Sequence, residues 1–77
     1  METVYVLINV GPGALESVTK KIPEMKNVKD IAVVTGAYDI LVKIEGEYIT
    51  DVLTTVVRGI RQIEGVTSTE TLVEVKL

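Results

Sequence analysis

The sequence predicts an α+β fold in the order β-α-β-β-α-β, with two helices on one face of a four-stranded antiparallel sheet. Three observations carry this. Four runs rich in β-branched residues are separated by turns marked with glycine or proline. Two stretches between them place apolar residues at helical spacing. The helix exits also repeat. Ile22-Pro23-Glu24-Met25-Lys26-Asn27-Val28 has the spacing of Ile60-Arg61-Gln62-Ile63-Glu64-Gly65-Val66. Each is a helix exit, an apolar plug, a turn residue and a strand entry. Two βαβ halves form the ferredoxin-like split unit, a two-layer sandwich. Right-handed crossovers put both helices on the same side.

The first strand spans Thr3 to Val10, with Val4, Val6, Ile8 and Val10 on one face and Tyr5 and Leu7 on the other. Gly11-Pro12-Gly13 stops it. That turn lacks the fuller spacing of a dinucleotide or phosphate loop. A short helix follows from Ala14 to Lys21, with Leu15, Val18 and Ile22 as its apolar stripe. Lys20 and Lys21 suit the negative end of the helix dipole, and Pro23 forbids continuation. Val28 to Thr35 form the second strand. Gly36-Ala37 reads as a tight hairpin into a third strand from Tyr38 to Glu45, with Ile40, Val42 and Ile44 on one face. The second helix runs from about Tyr48 to Gln62 on the stripe Ile49, Val52, Leu53, Val56, Val57 and Ile60. The period there outweighs the poor helix propensity of β-branched residues. Gly65 suits the position after the helix. The fourth strand covers Val66 to Leu77, where Thr67, Thr69 and Thr71 alternate with Ser68, Glu70 and Leu72.

A chain of 77 residues makes one domain, residues 1–77. At this size folding buries only about 60% of the unfolded surface, so a monomer is marginal. No cysteine is present to supply a disulfide. The absence of both histidine and cysteine removes the usual zinc ligands, the thiolate nucleophile and the commonest acid–base side chain. No catalytic residue, metal site or cofactor is therefore expected. The net charge of -3 does not favour nucleic acid. The start Met1-Glu2-Thr3-Val4 lacks the basic region of a signal peptide, and no apolar run approaches the roughly 18 residues of a membrane span. A cytoplasmic protein without membrane contact is the expectation.

The helices cover one sheet face only. The other carries Tyr5, Leu7, Val34, Leu41 and Leu72 among polar residues, an apolar content poorly suited to exposure as one patch. The alternatives are a shifted strand register or a sheet-to-sheet dimer, and the second is the expected arrangement.

Val34-Thr35-Gly36-Ala37-Tyr38-Asp39-Ile40-Leu41-Val42 resembles the "xxGxxDxxxxv" hairpin of the effector-binding domain of the Lrp/AsnC regulators. Ile63-Glu64-Gly65-Val66-Thr67-Ser68-Thr69-Glu70-Thr71 resembles that domain's "iPGVxxtxT" exit into its last strand. Together these motifs identify the chain as similar to the RAM domain, named for regulation of amino-acid metabolism, over its whole length. Family regulators also carry an N-terminal helix-turn-helix. Here the sheet begins at Thr3, so the resemblance is to a stand-alone RAM domain that does not itself bind DNA. The resemblance implies homodimers that assemble further, often into octameric rings, with full-length Lrp/AsnC regulators as possible partners. It also implies a small effector, commonly an amino acid, bound between dimers. The family's effector contacts fall on Gly36, Ala37, Tyr38 and Asp39 and on the last strand around Thr69 and Thr71.

The chemistry of these residues is compatible with that role. Asp39 suits an ammonium as a charge-assisted acceptor. Backbone N–H groups at Gly36 and the hydroxyls of Thr69 and Thr71 suit a carboxylate. Each residue also has a structural reading. Gly36 supplies a positive φ, Asp39 caps a turn, Tyr38 packs on a neighbouring subunit, and the threonines pair across the sheet. Three other functions share the fold. An ACT-like regulatory domain would use Gly11-Pro12-Gly13 as its site. A small enzyme of the dimeric α+β barrel kind lacks the expected acid–base groups. A purely structural module would dock onto a full-length regulator.

Overall fold

The protein is described by a computed structural model covering residues 1–77. Strand β1 (Glu2–Val10) is followed by helix α1 (Leu15–Lys21), which runs into a 3-10 turn at Ile22–Glu24. Strands β2 (Val28–Val33) and β3 (Ile40–Gly46) form the central hairpin. Helix α2 (Ile49–Thr54) continues through a π-helical turn (Thr55–Gly59) and a 3-10 turn (Ile60–Gln62) to strand β4 (Val66–Val73). The sheet is antiparallel, four-stranded and ordered β2-β3-β1-β4. Each helical segment thus crosses over one intervening strand, the split βαβ topology read from the sequence.

The core lies between sheet and helices. Alternate residues Val4, Val6 and Ile8 of β1 and Ile40, Val42 and Ile44 of β3 are fully buried, joined by Val18, Ile22, Val52, Val56, Ile60 and Ile63 from the helical layer. Each such side chain contributes about 1.5–3 kcal/mol by leaving water. The two central strands supply half of this core because both are paired on both edges and covered by helices.

The internal repeat is a repeat of geometry. The Met25 N–H donates to the Ile22 carbonyl at 3.0 Å and the Ile63 N–H to the Ile60 carbonyl at 3.2 Å. The turn residues Asn27 and Gly65 both have positive φ, 70° and 102°. Asparagine tolerates that region, whereas Gly65 is required for a second reason. A Cβ there would lie 2.7 Å from the Ala14 Cβ. The Gly11 N–H donates to the Gly65 carbonyl at 2.8 Å, fixing the Gly11-Pro12-Gly13 turn against the entry to β4.

Four expectations are corrected. The β2–β3 connection is a longer loop from Val34 to Asp39 rather than a tight Gly36-Ala37 turn, so β2 ends at Val33 and β3 begins at Ile40. Strand β4 ends at Val73 rather than Leu77. The second helix is not one regular α-helix: its hydrogen bonding widens to a π-helical turn that ends at Gly59, where φ and ψ are -105° and -81°. Local widening lets Val52, Val56 and Ile60 all stay in the core, while Val57 turns outward and is 47% exposed. Leu15 is likewise exposed, and Ala14 packs on the core in its place.

Candidate functional site

The hairpin loop is fixed by Asp39. Its N–H donates to the Ile8 carbonyl and its carbonyl accepts from Val34 N–H, both at 2.9 Å. Its side-chain Oδ2 accepts the Val10 N–H at 3.0 Å. The register of β1 with β4 shifts between Asn9 and Val10, and Asp39 serves the Val10 donor at that bulge. One Asp39 oxygen is thus committed to the fold. Gly36 has φ 120°, and a Cβ placed on it would meet nothing within 4 Å. Its glycine is needed for backbone conformation, with open space beside it.

Tyr38 donates from its hydroxyl to the Glu70 carboxylate, tying the loop to β4 across the uncovered face of the sheet. Tyr5 makes the equivalent bond to Glu74 at 3.0 Å. In both tyrosines the hydrogen bond to the carboxylate raises the phenol above its ordinary value of 10.0, because the neutral form is the donor. Glu70 and Glu74 are therefore acceptors for aromatic hydroxyls.

Thr69 and Thr71 lie opposite Ile8 and Val6 in the β1–β4 ladder. Directly paired residues share a face, so both threonines lie on the helix side. There they line an open cleft of about 620 Å³ between the helical segment and edge strand β4, with Leu53, Val56, Val57, Arg61, Val66, Thr67 and Ser68. One chain therefore does not gather all six expected ligand residues. Gly36, Ala37, Tyr38 and Asp39 stand on the hairpin, with Tyr38 directed to the uncovered face, and the two threonines stand on the opposite face. Sequence reasoning missed Leu53, Val57 and Arg61 as cleft residues. Their signal was an apolar helical stripe wider than the core needs, with Arg61 one turn after Val57.

Of the five expected interface residues, Tyr5, Leu7, Leu41 and Leu72 share the uncovered face, and Val34 stands in the hairpin loop just beyond β2. Tyr5 pairs with Leu72 and Leu7 with Leu41. Leu72 is 45% and Val34 36% exposed, and Tyr5, Leu7 and Leu41 are partly exposed. No group of three or more acidic, histidine or cysteine side chains is placed to hold a metal. No helix is long and apolar enough to cross a membrane.

A βαββαβ sandwich with a cleft beside its last strand and one uncovered sheet face is a small α+β domain of ligand-binding type. The chain belongs to the family described as the Lrp/AsnC ligand binding domain, which matches residues 3–76. Among solved structures, TTHA0845 from Thermus thermophilus is 30% identical, covers 100% of this chain and 96% of its own, and superposes with a TM-score of 0.93. The transcriptional regulator NMB0573 from Neisseria meningitidis, solved with L-Met, is 14% identical with a TM-score of 0.86. The match covers 97% of this chain and 50% of that one, and shows likeness of fold. A homocitrate synthase of Sulfolobus acidocaldarius is 40% identical over 55 residues, 71% of this chain. The match spans only 12% of that enzyme.

Proposed function

We propose that the chain is a small-molecule-sensing and oligomerising regulatory module whose effector is an amino acid or a close chemical relative, and which acts without catalysing a reaction or contacting DNA directly. The uncovered sheet face carries this reading. Tyr5, Leu7, Leu41, Leu72 and Val34 make it the surface for a second copy, and a dimer brings further surfaces within reach of the cleft. Membership of a ligand-binding family and a similarly folded regulator solved with L-Met support the effector class. The net charge of -3 disfavours direct phosphate contact. In this reading the hairpin of Gly36, Ala37, Tyr38 and Asp39 and the strand of Thr69 and Thr71 meet only between subunits, so effector binding and higher assembly are coupled.

The experiment is a thermal-shift screen of the standard amino acids together with sedimentation at micromolar concentration. A dimer or larger species is expected, with a melting temperature that rises with effector as RT ln(1 + [L]/Kd). A monomer with no response at millimolar effector would sink the proposal.

The homocitrate synthase match favours a second reading on one point. A segment similar to this chain is part of an enzyme. The partner would then be a biosynthetic enzyme rather than a full-length Lrp/AsnC regulator. Co-purification with either partner, followed by assay of which one changes activity on adding the effector, separates the two.

A further inference from the structure

We infer that the hollow between the first helix-exit turn and the π-helical turn is a second binding site, which holds the phosphoryl group of a small hydroxylated phosphomonoester. It lies apart from the cleft beside β4 and stands independently of the sensing reading. The two halves of the internal repeat differ here. In the second half Ile63 is buried in the core, and Gly65 lies so close to Ala14 that the exit turn is closed. In the first half Met25 and Lys26 take the positions of Ile63 and Glu64, and Met25 is only half-buried. A hollow of about 330 Å³ opens between these two residues and the helical segment. Its walls are tied together. Thr55 Oγ1 donates to the Lys26 carbonyl at 3.1 Å. The Met25 thioether fits under Gly59, where a Cβ would lie 3.1 Å from the sulfur. The helical wall is the single π turn Thr55–Gly59, a widening of the kind that recurs at functional sites.

Lys26 and Arg58 reach the hollow from different elements. Neither belongs to an ion pair or to a side-chain hydrogen bond within the chain. Two cations gathered on one concave surface without an internal counter-ion suit a dianion. The third charge lining the hollow is Asp51. It stands in the first turn of α2, where the helix dipole favours a carboxylate, and it pairs with neither cation. The hydroxyl protons of Thr54 and Thr55 are committed to backbone carbonyls of Thr50, Lys26 and Asp51. Asp51, Thr54 and Thr55 therefore offer acceptors, which match hydroxyl groups on the ligand's carbon body. The Asp51 charge also repels a second anionic group, which sets a monoester apart from a diphosphate or a phosphodiester chain.

The test titrates the full chain with inorganic phosphate, ribose 5-phosphate and ribose, following amide NMR shifts. The pH is held at about 7.5, where the phosphoryl group is mostly a dianion. Physiological ionic strength screens diffuse attraction to surface charge. Ribose 5-phosphate is expected to bind more tightly than phosphate, ribose is expected not to bind, and the shifted amides are expected to cluster at 25–27 and 54–59. Lys26→Gln and Arg58→Gln each weaken ribose 5-phosphate by about tenfold, the loss expected for a charged hydrogen-bond partner. Lys21→Gln, which removes an unpaired cation outside the hollow, leaves the affinity unchanged. Asp51→Ala narrows the gap between ribose 5-phosphate and phosphate, a ratio that a general loss of stability does not move. Absence of binding by both phosphates at millimolar concentration overturns the inference. Affinity that survives Lys26→Gln and Arg58→Gln, or that falls equally with Lys21→Gln, overturns it as well, because the attraction is then diffuse. So do shifts confined to the hairpin or β4, and equal affinities for the two phosphates, since no carbon body is then read.

Discussion

At the scale of single residues, Asp39 and Gly65 do the most that no neighbour can replace. Asp39→Ala removes the acceptor of Val10 N–H at a bulge where no ladder carbonyl takes over. A loss of about 1.5–3 kcal/mol in urea unfolding is expected, in line with hydrogen bonds to charged acceptors. If Asp39 also binds effector from a neighbouring subunit, the variant loses affinity beyond what destabilisation explains. Glycine substitutions separate strain from collision. Gly36→Ala meets only its positive φ, at a cost of about 1–2 kcal/mol. Gly65→Ala meets the same penalty plus an approach of 2.7 Å to Ala14, and is expected to be clearly the worse of the two in the same unfolding assay. Asn27→Gly, at the equivalent turn, is expected to be close to neutral because φ 70° suits either residue. The tyrosines give a pH signature. Tyr38 is raised by Glu70, so the stabilisation from this pair is present below about pH 10 and is lost as pH rises through the higher folded value. An ultraviolet titration of Glu70→Gln is expected to bring Tyr38 back down towards 10.0.

At the scale of elements, legibility tracked how local the deciding force was. Strands β1 and β3 alternate cleanly because one face is under the helices along their whole length, and period two then survives in the sequence. The helix-exit repeat was legible because each turn is decided within a few residues. The hairpin was not. Its length depends on Asp39 reaching a donor freed by a bulge 29 residues away in sequence, an event with no local signature. The second helical segment was legible in position but not in regularity, since the π-helical turn reflects how Val52, Val56 and Ile60 reach the core around Gly59. The separation of the two threonines from the hairpin's face within one chain was already present in the alternation. Thr69 and Thr71 have opposite parity to Leu72, so they were never on the face that carries Tyr5. What the pattern could not reveal was the cleft, because a cleft is the space left between two elements. Ile44→Ala is expected to cost about 2–5 kcal/mol, as for other fully buried isoleucines, measured by loss of the urea midpoint.

At the scale of the whole molecule, the core comprises 12 buried apolar residues on one side of the sheet, with nothing covering the other. A domain of this size has little stability to spare, so burial of the uncovered face in a dimer would add to a small margin. Leu72→Asp places a charge on that face, on edge strand β4 beside Tyr5. It is expected to shift the sedimenting species towards monomer and to lower a melting temperature that in the parent chain rises with protein concentration. An unchanged molecular mass would relocate the assembly surface elsewhere.

Strands β1 and β4 lie side by side at the middle and edge of the sheet, with Glu74 N–H donating to the Thr3 carbonyl at 2.9 Å and Lys76 within 3.9 Å of Glu2. The first and last strands of the described chain are thus direct neighbours, and the polypeptide is nearly a closed ring. A covalent bridge of a few glycines from Leu77 to Met1, with new ends cut between Gly36 and Ala37, is expected to give a circular permutant with an unchanged far-ultraviolet spectrum. For the same reason such a module can be spliced into a surface loop of a larger polypeptide without stretching its host, entering and leaving through a single doorway.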